Sequence, residues 1–239
     1  SRRRPRPRGP VLDLKGYGPS ILEGAVLTVE AALAGLALSL VLGLLGAFAK
    51  LSRLGPLRAL AAAYTTLIRG VPDLVLMLLV FFGGQMLMND LAERLGFEHV
   101  DVGPFAAGVL TLGFIYGAYM TETFRGAILA VPRGQLEAAR AFGMRPALVV
   151  RRILLPQMLR HALPGLGNNW LVLLKATALL SVLGLDDMVR KAALAAGATR
   201  QPFTFYLAVA LVFLALTTVS TLALAALERH ARRGEAHPT

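Results

Sequence analysis

Cysteine is absent from all 239 residues, which excludes disulfides, thiolate zinc sites and cysteine nucleophiles. Charge is sparse: 16% of residues are charged, where soluble domains carry roughly a quarter. Acids are the scarcer sign, 14 against 25 Lys and Arg. No G-x-x-x-x-G-K-S/T loop is present, so the chain is not its own nucleotide-driven motor. The four histidines, His99, His161, His230 and His237, fall on loops, a loop–span junction and the tail. They build no hydrolytic constellation, and no metal cluster is visible. What fills the chain instead is oil: 56% hydrophobic residues and a mean hydropathy of +0.62. One aqueous core cannot hide that much apolar surface, so a bilayer is the expected solvent.

The opening "SRRRPRPRGP" has no start Met and is too basic and proline-rich for a signal peptide's apolar region. It reads as a disordered arm or a vector-derived remnant, set at residues 1–18. It also explains part of the net charge of +11, because six cations up to Lys15 face one acid, Asp13. A nucleic-acid partner is not indicated, since no aromatic-interleaved basic face accompanies the charge.

A transmembrane helix needs roughly 20 mostly apolar residues. Such runs lie at 21–49, at 57–88 (interrupted by "RGVPD"), at 104–124, within 162–185, and at 203–227. Five spans are expected, in an all-α membrane domain covering 19–228, with a cytoplasmic tail at 229–239. Basic residues in short loops set the orientation. Lys50, Arg53 and Arg58 follow span one; Arg125, Arg133 and a further arginine group follow span three; Arg229, Arg232 and Arg233 follow span five. The loop after span two is acidic, with Asp90, Glu93, Glu98 and Asp101 against Arg94. The loop after span four is mixed, Asp186 and Asp187 facing Arg190, Lys191 and Arg200. The loops put the N-terminus in the periplasm and the C-terminus in the cytoplasm; the arginine arm alone votes the other way.

The long cytoplasmic loop, about 130–156, contains "LEAARAFGMRPALVVRRILLPQ". Its pattern predicts two short helices. Pro132 precedes the first, with Glu137 in an early turn where the helix dipole favours an acid. Gly143 supplies the turn between them. Pro146 opens the second helix, and Pro156 is expected to interrupt it. Arginines alone would also suit a plain basic loop held by anionic headgroups.

The same stretch resembles the EAA signature of bacterial ABC-importer permeases: Glu-Ala-Ala, three residues, Gly, nine residues, then Ile-x-Leu-Pro. Glu137, Ala138, Ala139, Gly143, Ile153, Leu155 and Pro156 all match it. "YTTLIRGVPDLVLMLLVFFG", "TLGFIYGAYMTETFRGAI" and "LPGLGNNWLVLLKATALLSVLGL" are similar to the polar-amino-acid branch, and within it to the Q-type subunit of histidine and lysine/arginine/ornithine importers. The resemblance implies a five-span type I permease half whose EAA loop is a coupling helix on a separate ATPase. It also implies a second permease subunit (an M-type heterodimer favoured over a homodimer), two ATPase subunits and a periplasmic amino-acid-binding protein. No cofactor is implied in this chain; ATP and Mg belong to the ATPase. Many branch members have Asp after "LLK", where this chain has Ala176, which leaves the partner of Lys175 open.

Substrate candidates are the ionisable and amide groups inside the spans. Asp73, beside Pro72 in span two, is either a substrate counter-ion or the helix-face partner of Arg69 four residues earlier. Glu122 with Arg125 at i, i+3 is either a substrate contact or a structural pair. Asn168, Asn169 and Lys175 line the same cavity or, for the asparagines, act as helix–helix glue. Trp170 is expected at a membrane interface. The rival class is a motor-free channel or a proton-coupled carrier, which explains buried charges but not the seven-point loop signature.

Overall fold

The structure is a computed structural model that describes residues 13–97 and 101–232. The arginines of the arm, Glu98, His99, Arg233 and His237 lie outside the described residues. Among the described residues the chain is helical, without strands. In order come α1 (Gly18–Leu51), α2 (Gly55–Gly70), α3 (Asp73–Arg94), α4 (Pro104–Ala130), α5 (Arg133–Ala141) and α6 (Pro146–Val149). A π-turn (Val150–Leu154), α7 (Leu155–Ala176), a 3-10 segment (Thr177–Leu183), α8 (Met188–Thr199) and α9 (Pro202–Arg232) complete it. Prolines sit in the first turns of α1, α2, α4 and α7, where a missing N–H goes unneeded.

Four helices are long and apolar enough to cross a membrane: α1, α3, α4 and α9. The expected second span differs from this. Val71 and Pro72 are extended, so 57–88 is two helices, and α3 alone has crossing length. The break follows from Pro72, which cannot donate to Ile68 and restricts Val71 to extended backbone. Asp73 therefore opens a helix rather than lying in the middle of one. The run expected as the fourth span, 162–185, lies in α7 and the 3-10 segment after it, which ends where Gly184 turns with φ +96°; α7 is not among the four helices of crossing length and hydropathy.

Two expectations for the long loop also change. Pro156 does not interrupt its helix. The wider π-turn just before it, closed by Leu155 N–H donating to Val150, takes up the steric and hydrogen-bond defect a proline brings. Glu137 is the fifth residue of α5, whose first turn has no acid, so the dipole argument for it lapses.

Three buried clusters are stacked along α1. At its N-terminal end, Ile21 and Ala25 meet Met188, Ala192 and Phe205 of α8 and α9. In the middle, Ala31 and Ala32 meet Met77, Leu112, Tyr116 and Leu174. At its C-terminal end, Ala47 meets Met120, Phe124 and Met158. At the α1 N-terminal end, buried Asp187 caps α8 by accepting from Arg190 N–H at 2.9 Å, and burial pushes its carboxyl up to about 6.

The closest packing is between α1 and α4. A Cβ on Gly43 would lie 2.3 Å from Met120 Cβ and 3.0 Å from that residue's backbone carbon. Small residues of this kind let backbones approach where no water drives helices together. Gly43→Ala is expected to lower stability by about 1–3 kcal/mol, the usual range for overpacking. A thermal melt of the purified protein checks this, with Gly126→Ala, where nothing lies within 4 Å, as the neutral control. An unshifted Gly43→Ala melt would contradict the packing described.

Candidate functional site

The break between α2 and α3 places three side chains around one carboxylate. Asp73 stands half-buried in the first turn of α3, where the helix dipole favours a negative charge. Tyr116 of α4, 1% exposed, donates its hydroxyl to Asp73 Oδ2 at 3.0 Å. Tyr119, one turn further on, stacks on Tyr116 at 5.5 Å between ring centres. Arg69, the expected helix-face partner of Asp73, lies on the other side of the break. Its guanidinium sits over the Tyr119 ring at 5.5 Å, a cation–π contact, and forms no ion pair with Asp73 among the described residues. Asp73 is thus held by a neutral hydroxyl and makes no ion pair among the described residues, with Arg69 turned onto the Tyr119 ring. Tyr116 and Tyr119, three residues apart in an apolar run, were the signal for this arrangement. Their spacing marks one helix face.

The other candidates divide between inward and outward faces. Glu122 accepts from Lys50 Nζ and, at 2.9 Å, from Arg125 Nε. It is a structural triad joining α1 to α4. Asn169 is buried on α4, donating to Thr123 Oγ1 at 3.0 Å. Asn168 faces away and is exposed, as is Lys175. Pro164, Asn168, Val172 and Lys175, all exposed, recur every three or four residues and so share one stripe of α7. Lys175 has no hydrogen bond or ion pair among the described residues. Asp73 and Lys175 flank the same central cluster, which holds Met77 of α3 and Leu174 and Ala176 of α7, but they do not touch. Trp170, in the C-terminal half of α7, is half-buried and packs against that cluster.

In the long loop, α5 ends in a closed turn. Gly143 N–H donates to Arg140 and Met144 N–H to Ala139, the paired bonds that end a helix with a left-handed residue. Gly143 supplies it with φ +79°. Gln157 Nε2 donates to Gln135 Oε1 at 2.6 Å and fixes α5 against the start of α7. Ala139 is buried by this closure, while Glu137, Ala138, Leu155 and Pro156 are exposed and Ile153 is half-buried. Phe142 at the tip is 89% exposed. Sequence reasoning passed over it, although an aromatic beside a turn glycine in a polar loop is an unusual thing to leave in water.

Residues 21–233 match the family described as the binding-protein-dependent transport system inner membrane component. The chain is 53% identical over 216 residues to the histidine/lysine/arginine/ornithine transport system permease protein HisQ of Salmonella typhimurium, covering 90% of this chain and 95% of that one. It is 47% identical to the nopaline transport system permease protein NocQ of Agrobacterium fabrum, over 92% of this chain and 94% of its relative. The crystal structure of an amino acid ABC transporter with histidines aligns at a TM-score of 0.79 and 31% identity, over 93% of this chain and 99% of that chain. With its helical break, its closed exposed loop and these relatives, the chain belongs to the family of inner membrane components of binding-protein-dependent transport systems.

Proposed function

We propose that the chain is one permease half of an ATP-driven bacterial importer for basic and polar amino acids of the histidine, lysine, arginine and ornithine class. The observation that carries the substrate class is Asp73: a half-buried carboxylate at a helix break, held by Tyr116 and without an ion pair among the described residues. A charge in a membrane domain needs a partner, and a substrate ammonium or guanidinium is one. Lys175 and Asn168, on the exposed stripe of α7, are matched to the substrate carboxylate. Glu122 and Asn169 are given structural roles, since their polar atoms are already used within the chain.

In this reading the chain crosses the membrane five times, with α2 and α3 together forming the second crossing and α7 with its 3-10 extension the fourth. The loop at 130–156 and the tail from 229 face the cytoplasm, the N-terminus the periplasm. The loop signature, Glu137, Ala138, Ala139, Gly143, Ile153, Leu155 and Pro156, docks on one of two ATPase subunits, and Phe142 adds an apolar anchor of the type that dominates interfaces. ATP and Mg bind those subunits. A second, M-type permease subunit and a periplasmic amino-acid-binding protein complete the assembly. Residues 19–228 form the permease domain.

Asp73→Asn keeps the shape and removes the charge. A charged hydrogen bond contributes roughly 1.5–3 kcal/mol, so apparent affinity for arginine and lysine should fall about tenfold or more. Assembly and basal ATPase activity should persist. Uptake kinetics in proteoliposomes check this, and parent-like arginine and lysine uptake would contradict the counter-ion role. Gly143→Val tests the loop separately. A β-branched residue at φ +79° is strained by about 1–3 kcal/mol, so the closed turn should open. The expected result is normal membrane insertion with loss of the ATPase stimulation given by loaded binding protein. Full stimulation would contradict the docking role.

A further inference from the structure

A groove lies away from the break, between the C-terminal half of α1, α2 and α4. Its volume is about 600 Å³, within the roughly 300–1,000 Å³ of ordinary ligand sites. Leu42, Leu45, Phe48, Leu57, Leu60 and Phe114 form its walls. The Tyr64 hydroxyl in its lining donates to the Phe114 carbonyl, so its proton is already used. A charged amino acid has no partner here. An alkyl chain does.

The length of the groove narrows the choice of guest. Along α1 it runs from Leu42 to Ser52, ten residues or roughly 15 Å. That is half of the roughly 30 Å hydrocarbon core, the depth of one leaflet. A crossing helix of another subunit would run on past it. Two cations directly follow lining residues, Arg53 after Ser52 and Arg58 after Leu57. Arg53 lies in the α1–α2 linker and Arg58 in the first turn of α2; both are exposed, with no ion pair among the described residues. No acid occurs between Glu30 and Asp73, and Lys50 is already committed to Glu122. Two free guanidinium groups beside an apolar crevice of leaflet depth match an anionic headgroup joined to an acyl chain.

We propose that this groove is a binding site for an anionic glycerophospholipid of the adjacent leaflet, its phosphate held by Arg53 and Arg58 and one acyl chain lying between α1 and α2. The lipid fills the wedge beside α2, whose far end carries Arg69 and the break at Pro72, so its occupancy fixes the helix that leads to Asp73.

The test uses the chain purified with the subunits that accompany it, exchanged into detergent with either dioleoylphosphatidylglycerol or dioleoylphosphatidylcholine. Native mass spectrometry should find phosphatidylglycerol retained in preference to phosphatidylcholine. The pair Arg53→Gln and Arg58→Gln should abolish that preference, and Leu60→Trp, which fills the groove, should remove the lipid while leaving the cations. A benzophenone amino acid in place of Leu60, irradiated in native membranes, should give a lipid adduct. Unchanged phosphatidylglycerol retention in both variants would overturn the site. So would a benzophenone adduct to another permease subunit, which would make the groove a protein interface.

Discussion

Between Gly43 and Met120 there is no room for a methyl group: a Cβ would sit 2.3 Å from its neighbour. That closeness is a constraint on the whole molecule. Lipid tails are as apolar as leucine, so helices in a bilayer associate through tight packing and internal polar contacts and not through expulsion of water. Once α1 and α4 lie this close, α4 becomes the hub of three polar contacts with its neighbours. It offers Glu122 to Lys50 of α1, Thr123 to Asn169 of α7, and Tyr116 to Asp73 of α3. A shift of α4 against α1 would disturb all three.

The charges of the membrane domain then fall into two groups with different fates. Glu122 is neutralised from both sides by Lys50 and Arg125, and Arg69 is spread over a tyrosine ring. Asp73 and Lys175 form no ion pair among the described residues. Unpaired charge of this kind is expensive in a membrane and is kept where something else completes it. The helix break at Pro72 and the outward stripe of α7 are two places where the membrane domain is electrostatically unfinished among the described residues. Those are where a substrate or a second subunit is called for.

Much of this was legible in the sequence, for reasons that stay local. Apolar runs of crossing length gave the helical membrane class, and Gly143 in a loop between two helical patterns gave the left-handed turn that the structure contains. What escaped was set by contacts distant in sequence or by backbone adaptation. Lys50 and Glu122 are 72 residues apart and Asp73 and Tyr116 are 43 apart, so neither pair leaves a periodic trace. The i, i−4 spacing of Arg69 and Asp73 suggested a pair only on the assumption of a continuous helix, which Pro72 cuts. Pro156 misled in the opposite sense, because a π-turn let the helix run through it.

In the proposed function another subunit supplies the energy, which enters at the closed loop around Gly143 and acts on the open charge near Pro72. Arginine uptake by the reconstituted assembly tests this most directly, with loaded binding protein on one side of the bilayer and ATP with Mg on the loop side. Uptake should require that ATP and should be absent under an imposed proton gradient alone. Uptake driven by the gradient without ATP would contradict the account.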